Sequence, residues 1–114
     1  MNGVSADPRL LQGTLDLLVL RALKWGPRHG YDVARWIQQS SDDVLRVEDR
    51  ALYVALHRME DRGWIEAEWG SSENNRRARF YELTAKGRRA LATRTSWFQR
   101  YSEAVFKVLA AAAA

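Results

Sequence analysis

At Gly63 the apolar spacing of the chain switches from helical to alternating, and that switch limits the folds open to it. Three helical segments precede it. Thr14 is placed to cap the first, with Asp16 in the opening turn, where a helix dipole favours an acid. Leu15, Leu17, Leu18, Val19, Leu20, Ala22 and Leu23 make that helix apolar almost all round, the mark of a buried helix, and Gly26-Pro27 stops it. Gly30 to Gln39 predicts a second helix, with Val33, Ala34 and Ile37 on one face and Asp32, Arg35, Gln38 and Gln39 away from it. Ser40-Ser41-Asp42-Asp43 breaks the pattern, and Val44–Val47 reads as an extended link. A third helix runs from about Arg50 to Arg62, capped by Asp49 and closed by Gly63, along an apolar line of Leu52, Ala55, Leu56 and Met59. Beyond Gly63, Trp64–Trp69 and Arg79–Thr84 read as two aromatic-rich strands around a polar turn, Gly70 to Asn75, followed by Arg76-Arg77: a hairpin with a long basic tip. Thr84 then caps a long fourth helix, from about Ala85 into the alanine tail.

Three helices followed at once by a two-stranded ribbon is the winged form of helix-turn-helix. The fold class expected is therefore mainly α with a small β-hairpin. Residues 1–11 are expected to be a flexible lead-in, 12–84 the winged helix, and 85–114 a helix for dimerisation. Composition agrees with one globular domain: 114 residues, 46% hydrophobic and 28% charged. Without cysteine there is no disulfide framework, thiolate zinc site or cysteine nucleophile, which suits a reducing compartment. No apolar run approaches the roughly 18 residues of a membrane span, and Met1–Asp7 lacks the basic-then-apolar pattern of an export signal. A cytoplasmic location is expected, with no membrane partner.

Charge is distributed unevenly. The net value is only +4, and residues 1–45 carry five basic and five acidic side chains. Residues 76–100 carry eight basic side chains against Glu82 alone, a local excess of +7. That concentration points to a polyanion, nucleic acid first, with a solvated helix face as the bland alternative.

With Leu52, Leu56 and Met59 turned inward, the third helix presents Arg50, Val54, His57 and Asp61, flanked by Tyr53 and Arg58. Arg50 suits guanine O6 and N7 or a phosphate, Tyr53 and His57 can donate to phosphate oxygens, and Val54 suits a thymine methyl. The bland reading is an amphipathic helix facing water. In the hairpin, Asn74, Asn75, Arg76, Arg77 and Arg79 stand at or beside the tip, where an arginine fork binds phosphate bidentately and fits a narrow minor groove. A soluble turn is the alternative. Enzymatic chemistry has little support: His29 and His57 have no metal-ligand spacing partner, no glycine loop is built to cradle phosphate, and no Ser/His/Asp grouping is visible. No cofactor or metal is expected.

In the fourth helix Leu91, Phe98, Val105 and Ala112 recur every seven residues, with Thr95, Ser102 and Leu109 as a second column and Trp97, Tyr101, Ala104 and Val108 alongside. So wide an apolar surface predicts a homodimer through Leu91, Phe98, Tyr101, Val105, Val108 and Leu109, which suits an inverted-repeat operator in double-stranded DNA. Trp97 and Tyr101 would then line a cleft at the dimer axis able to stack on a flat aromatic ligand; plain interface packing of Trp97 is the competing reading.

The chain resembles the PadR family of transcriptional regulators, in the short form with one C-terminal helix. The matching segments run from Gln12-Gly13-Thr14-Leu15-Asp16-Leu17-Leu18-Val19-Leu20 through Gly26-Pro27-Arg28-His29-Gly30-Tyr31. They continue in Leu52–Glu60 with Gly63-Trp64-Ile65, and in Asn74–Thr84 with Gly87. The resemblance implies a homodimeric winged-helix repressor released by a small molecule. It maps DNA contact onto Tyr53, Arg76, Arg77 and Arg79, and effector contact onto Trp97. One departure stands out: Arg50-Ala51 replaces the family's usual Gly followed by Ser or Thr, so Ala51 has no hydroxyl for a phosphate. Arg50 offers charge in its place, while Glu48-Asp49 should weaken binding to DNA. Two other readings remain beside the repressor: a winged-helix module that binds protein, and a small-molecule carrier that does not bind DNA.

Overall fold

The computed structural model describes residues 8–113, with side chains from residue 13. In chain order the elements are α1 (Pro8–Ala22), β1 (Arg28–His29), α2 (Gly30–Ser40), α3 (Asp49–Asp61), β2 (Ile65–Ser71), β3 (Arg77–Leu83) and α4 (Ala85–Ala110). The expected class holds: a winged helix followed by one long helix.

α1 starts earlier than a Thr14 cap would place it. Pro8 is suited to a first turn, because the N–H it lacks would have no partner there. Of the expected lead-in, residues 8–11 are thus helical and 1–7 lie outside the described residues. The apolar girdle of α1 does what its composition predicts. Leu15, Val19, Leu20, Ala22 and Leu23 are buried, and the helix packs against α2, α3 and α4. Val33 and Ile37 of α2 and Leu52, Ala55, Leu56 and Met59 of α3 close the core from the other side, with Ile65, Tyr81 and Leu83 of the hairpin.

The helix ends are fixed by local chemistry. His29 caps α2, its Nδ1 accepting from the Asp32 N–H at 3.3 Å. α3 is preceded by Glu48, whose side chain makes no capping bond, so Asp49 is the first helical residue rather than the cap. At its other end Gly63 adopts φ +75°. Its N–H donates to Glu60 O (2.9 Å) and the Trp64 N–H to Met59 O (3.0 Å), a Schellman closure that satisfies two terminal carbonyls. Thr84 caps α4 as expected, accepting from the Gly87 N–H at 3.0 Å.

The sheet has three strands in the order β1-β3-β2, all antiparallel. The edge strand β1 was not expected. It pairs Arg28 with Tyr81 and His29 with Phe80. β2 and β3 reach further than the alternation indicated, pairing from Ile65↔Leu83 out to Ser71↔Arg77. The tip is therefore short, and Arg77 and Arg79 belong to a strand.

α4 ends at Ala110, with Ala111 extended, so Ala112 is not part of a heptad column. Leu91, expected on the dimer seam, is only 8% exposed and packs into the core of its own chain. The apolar surface left open on α4 starts at Trp97 and Phe98 and continues through Tyr101, Val105, Phe106, Val108 and Leu109.

Candidate nucleic-acid interface

The two faces of the hairpin differ in chemistry because the strand period is two. On one face, cross-strand partners run outward from the core as Ile65/Leu83, Ala67/Tyr81, Trp69/Arg79 and Ser71/Arg77. On the other face Glu66 faces Glu82 and Glu68 faces Phe80. Apolar contact thus anchors the first face near the core, and cations and an indole occupy it toward the tip.

That face looks across a cleft of about 600 Å³ at the start of α2 and at Tyr53 of α3. The cleft brings together Tyr31, Arg35, Tyr53, Trp69, Asn74, Arg76, Arg77 and Arg79, above a floor that includes Tyr81. Four guanidinium groups and two carboxylates, Asp32 and Glu73, line it. Tyr53 lies over Gly30, and a Cβ built there would stand 2.9 Å from its hydroxyl. Arg35 sits 5.6 Å from the centre of the Tyr31 ring. Burial pushes the Tyr81 hydroxyl above its usual range, against the lowering effect of Arg79, and Glu60 and Tyr53 add to the rise. Tyr81 therefore stays a neutral hydrogen-bond donor under ordinary conditions.

The expected residues separate into groups. Tyr53, Asn74, Arg76, Arg77 and Arg79 line the one cleft. Arg50, Val54 and His57 stand exposed on α3 without lining it. Asn75 serves the turn: its φ is +58°, which asparagine tolerates better than most residues, and its N–H donates to Ser72 O at 2.9 Å. Arg58 is committed inward. Its Nη2 and Nε donate to the two oxygens of buried Asp16, the latter at 3.3 Å, and Arg62 approaches the same carboxylate at 3.9 Å. Arg79 donates to Glu60 Oε2 at 3.0 Å, so part of its charge is already answered.

Sequence reading missed Tyr31, Arg35 and Trp69. Trp69 was placed in a strand, but only the register shows that it shares a face with Arg77 and Arg79. Tyr31 and Arg35 lie four apart on α2, a spacing that could have flagged them.

Away from this cleft, Trp97 and Tyr101 stack on one helix face, centroids 5.0 Å apart and planes 12° apart. With Phe98 and Arg94 they border a hollow of about 220 Å³ whose other wall is Gly13, Thr14 and Leu17 of α1. Thr95 and Ser102, the polar members of the expected seam, each donate to the carbonyl one turn back, Leu91 O and Phe98 O, at 2.7 Å. Their hydroxyls need no partner across an interface. Among the described residues no group of three or more acidic or histidine side chains is placed to hold a metal ion, and no helix is long and apolar enough to cross a membrane.

A model of the PadR-like family of transcriptional regulators matches residues 19–93. A PadR family transcriptional regulator of Eggerthella lenta is similar in structure, with TM-score 0.74, 27% identity, and coverage of 91% of this chain and 88% of that one. A PadR-like transcriptional regulator of Bacillus cereus superposes with TM-score 0.76 at 21% identity, covering 91% and 99%. In sequence, an uncharacterized protein of Lysinibacillus sphaericus is 25% identical over 83 residues, 73% of this chain and 76% of that one.

Proposed function

Since this chain belongs to the PadR-like family of transcriptional regulators, we propose that it acts as a DNA-binding repressor, a homodimer on an inverted-repeat operator that a small aromatic effector releases. The family is one of regulators rather than enzymes. The observation that carries the DNA reading is the cleft: Tyr53 of the third helix and Arg76, Arg77 and Arg79 of the hairpin converge on it although they come from elements far apart in sequence. Phosphates are met by tyrosine hydroxyl and guanidinium donors, while Arg50, Val54 and His57 face the base edges of the major groove. Arg50 takes over the role of the hydroxyl that Ala51 does not supply. The effector reading rests on the stacked Trp97–Tyr101 pair beside the α1–α4 hollow. A cytoplasmic location follows from the role.

The test is a charge reversal at the wing. Arg76→Glu with Arg77→Glu should abolish retention of an operator selected from random duplex DNA and leave the oligomeric state unchanged. For the unaltered protein the logarithm of affinity should fall with the logarithm of salt at a slope of roughly −0.9 per phosphate neutralised. Unchanged affinity in the charge-reversed variant would remove the wing from the interface, and a flat salt response would remove phosphate contact as its basis.

A further inference from the structure

Trp69 is 59% exposed, yet it stands on the hairpin face that turns apolar toward the core, next to the cleft. Two arginines approach its ring. Arg79, its direct cross-strand partner, is 6.0 Å from the ring centre and is bonded to Glu60. Arg77, diagonal to it in the register, is nearer at 4.5 Å and has no carboxylate partner among the described residues. The indole thus holds one unpaired guanidinium against a flat face, near the tip and on the cleft side. An arginine whose side chain stands alone gives up rotamer freedom when it binds, whereas one already stacked gives up less.

Stacking fixes the plane of the guanidinium as well as the place of its charge, and a narrow slot selects on that plane. The minor groove of A·T-rich duplex is narrow, carries enhanced negative potential, and lacks the guanine amino group on its floor. A planar cation held against an indole fits that slot, and the exposed part of the indole is left to lie on the sugars of the groove wall. We propose that Trp69 and Arg77 form one reading unit that gives this protein a preference for A·T-rich base pairs beside each half-site. This rests on the DNA-binding reading above and adds to it a class of DNA and a residue, Trp69, that positions the cation.

The experiment uses the full chain and an inverted-repeat duplex obtained by selection, with the flanking pairs made A·T, G·C or inosine·C. Inosine·C keeps the major-groove pattern of G·C and removes the amino group from the minor groove. A·T and inosine·C flanks should bind alike and about tenfold tighter than G·C flanks. Trp69→Ala should bring that ratio close to one, and circular dichroism and thermal unfolding like those of the unaltered protein should show that the hairpin still folds. Trp69→Phe, which keeps an aromatic face, should retain most of the ratio, and Arg77→Lys should lose it. A ratio that persists in Trp69→Ala, or inosine·C behaving as G·C, would overturn the reading unit and leave DNA binding standing. Failure of the unaltered protein to retain any duplex would overturn the DNA-binding reading itself.

Discussion

Asp16 is 3% exposed, a carboxylate set among leucines, and it is tolerated because Arg58 of α3 and Arg62 just past its end face it. Its place explains why Arg58, which the helix period sets beside the outward-facing line, does not join the cleft: the guanidinium is drawn back under α3 to an acid on α1. The pair ties α3 to α1 alongside the buried line of Leu52, Ala55, Leu56 and Met59, and together they set where Tyr53, Val54 and His57 point. Arg58→Ala would leave a buried carboxylate with only Arg62 at 3.9 Å in reach. Losing one partner of a buried pair costs about 3 kcal/mol, so urea unfolding should show a loss of that size. Arg58→Lys, which keeps the charge but not the two-pronged geometry, should fall between the two. Wild-type stability in Arg58→Ala would mean that the pair does not hold α3. Composition gave no hint of this contact. Asp16 reads as a first-turn acid only while α1 is taken to begin at Thr14; a start at Pro8 moves it to mid-helix, where no dipole argument applies.

Among the elements, α4 meets the start of the hairpin at Gly87 with no room for a side chain. A Cβ built on Gly87 would lie 2.0 Å from the Trp64 carbonyl oxygen, and backbone cannot swing away as a side chain can. The same carbonyl accepts from the Thr84 N–H at 3.0 Å, and Thr84 Oγ1 donates to Gly63 O at 2.6 Å, so the joint is held from both sides. Gly87→Ala should therefore destabilise by about 1–3 kcal/mol, as overpacking does, and should tilt α4 relative to the wing. Thermal unfolding and comparison with Ala92→Gly, an exposed helix position without such a neighbour, separate the clash from helix propensity. A gain of about 1 kcal/mol in Gly87→Ala, the reverse of the Ala92→Gly loss, would mean that the joint is slack. Much at this scale was legible beforehand: the order of helices and hairpin, the Thr84 cap, the Gly63 stop and the buried lines of α2 and α3 all follow from local periodicity and capping chemistry. The rest was not local. β1 is two residues long, too short to show alternation, and exists only because Tyr81 and Phe80 lie beside it. Arg77 and Ser71 lack strand-like side chains and are strand only by pairing with each other. The cleft, likewise, is a product of register and docking that no single segment displays.

At the scale of the whole molecule, the shape is long for its mass, 61 × 35 × 22 Å, because α4 runs for 26 residues and only its first turns touch the core. From Trp97 onward it carries seven large apolar side chains with substantial exposure, more than a lone helix end ordinarily shows to water. Thr95 and Ser102 bond back to their own helix, which leaves that surface without an unmet polar demand. Self-association through this segment is the arrangement proposed above, and it has a consequence that stability alone would not reveal. Two winged helices tied by their α4 segments present two recognition faces at a fixed separation, so an inverted repeat is bound by both at once and the second contact becomes intramolecular. Val105→Glu with Leu109→Glu places two charges on the exposed seam without touching any residue of the core. Sedimentation equilibrium should then give a monomer with unchanged thermal unfolding of the winged helix. Affinity for a single half-site should be unaltered, whereas affinity for the inverted repeat should fall by about 10²–10⁴-fold, the usual range for loss of a linked second contact. A dimer that survives both charges would place the interface elsewhere on the molecule. A monomer that keeps full affinity for the repeat would mean that each chain reads its half-site alone and that α4 serves another purpose.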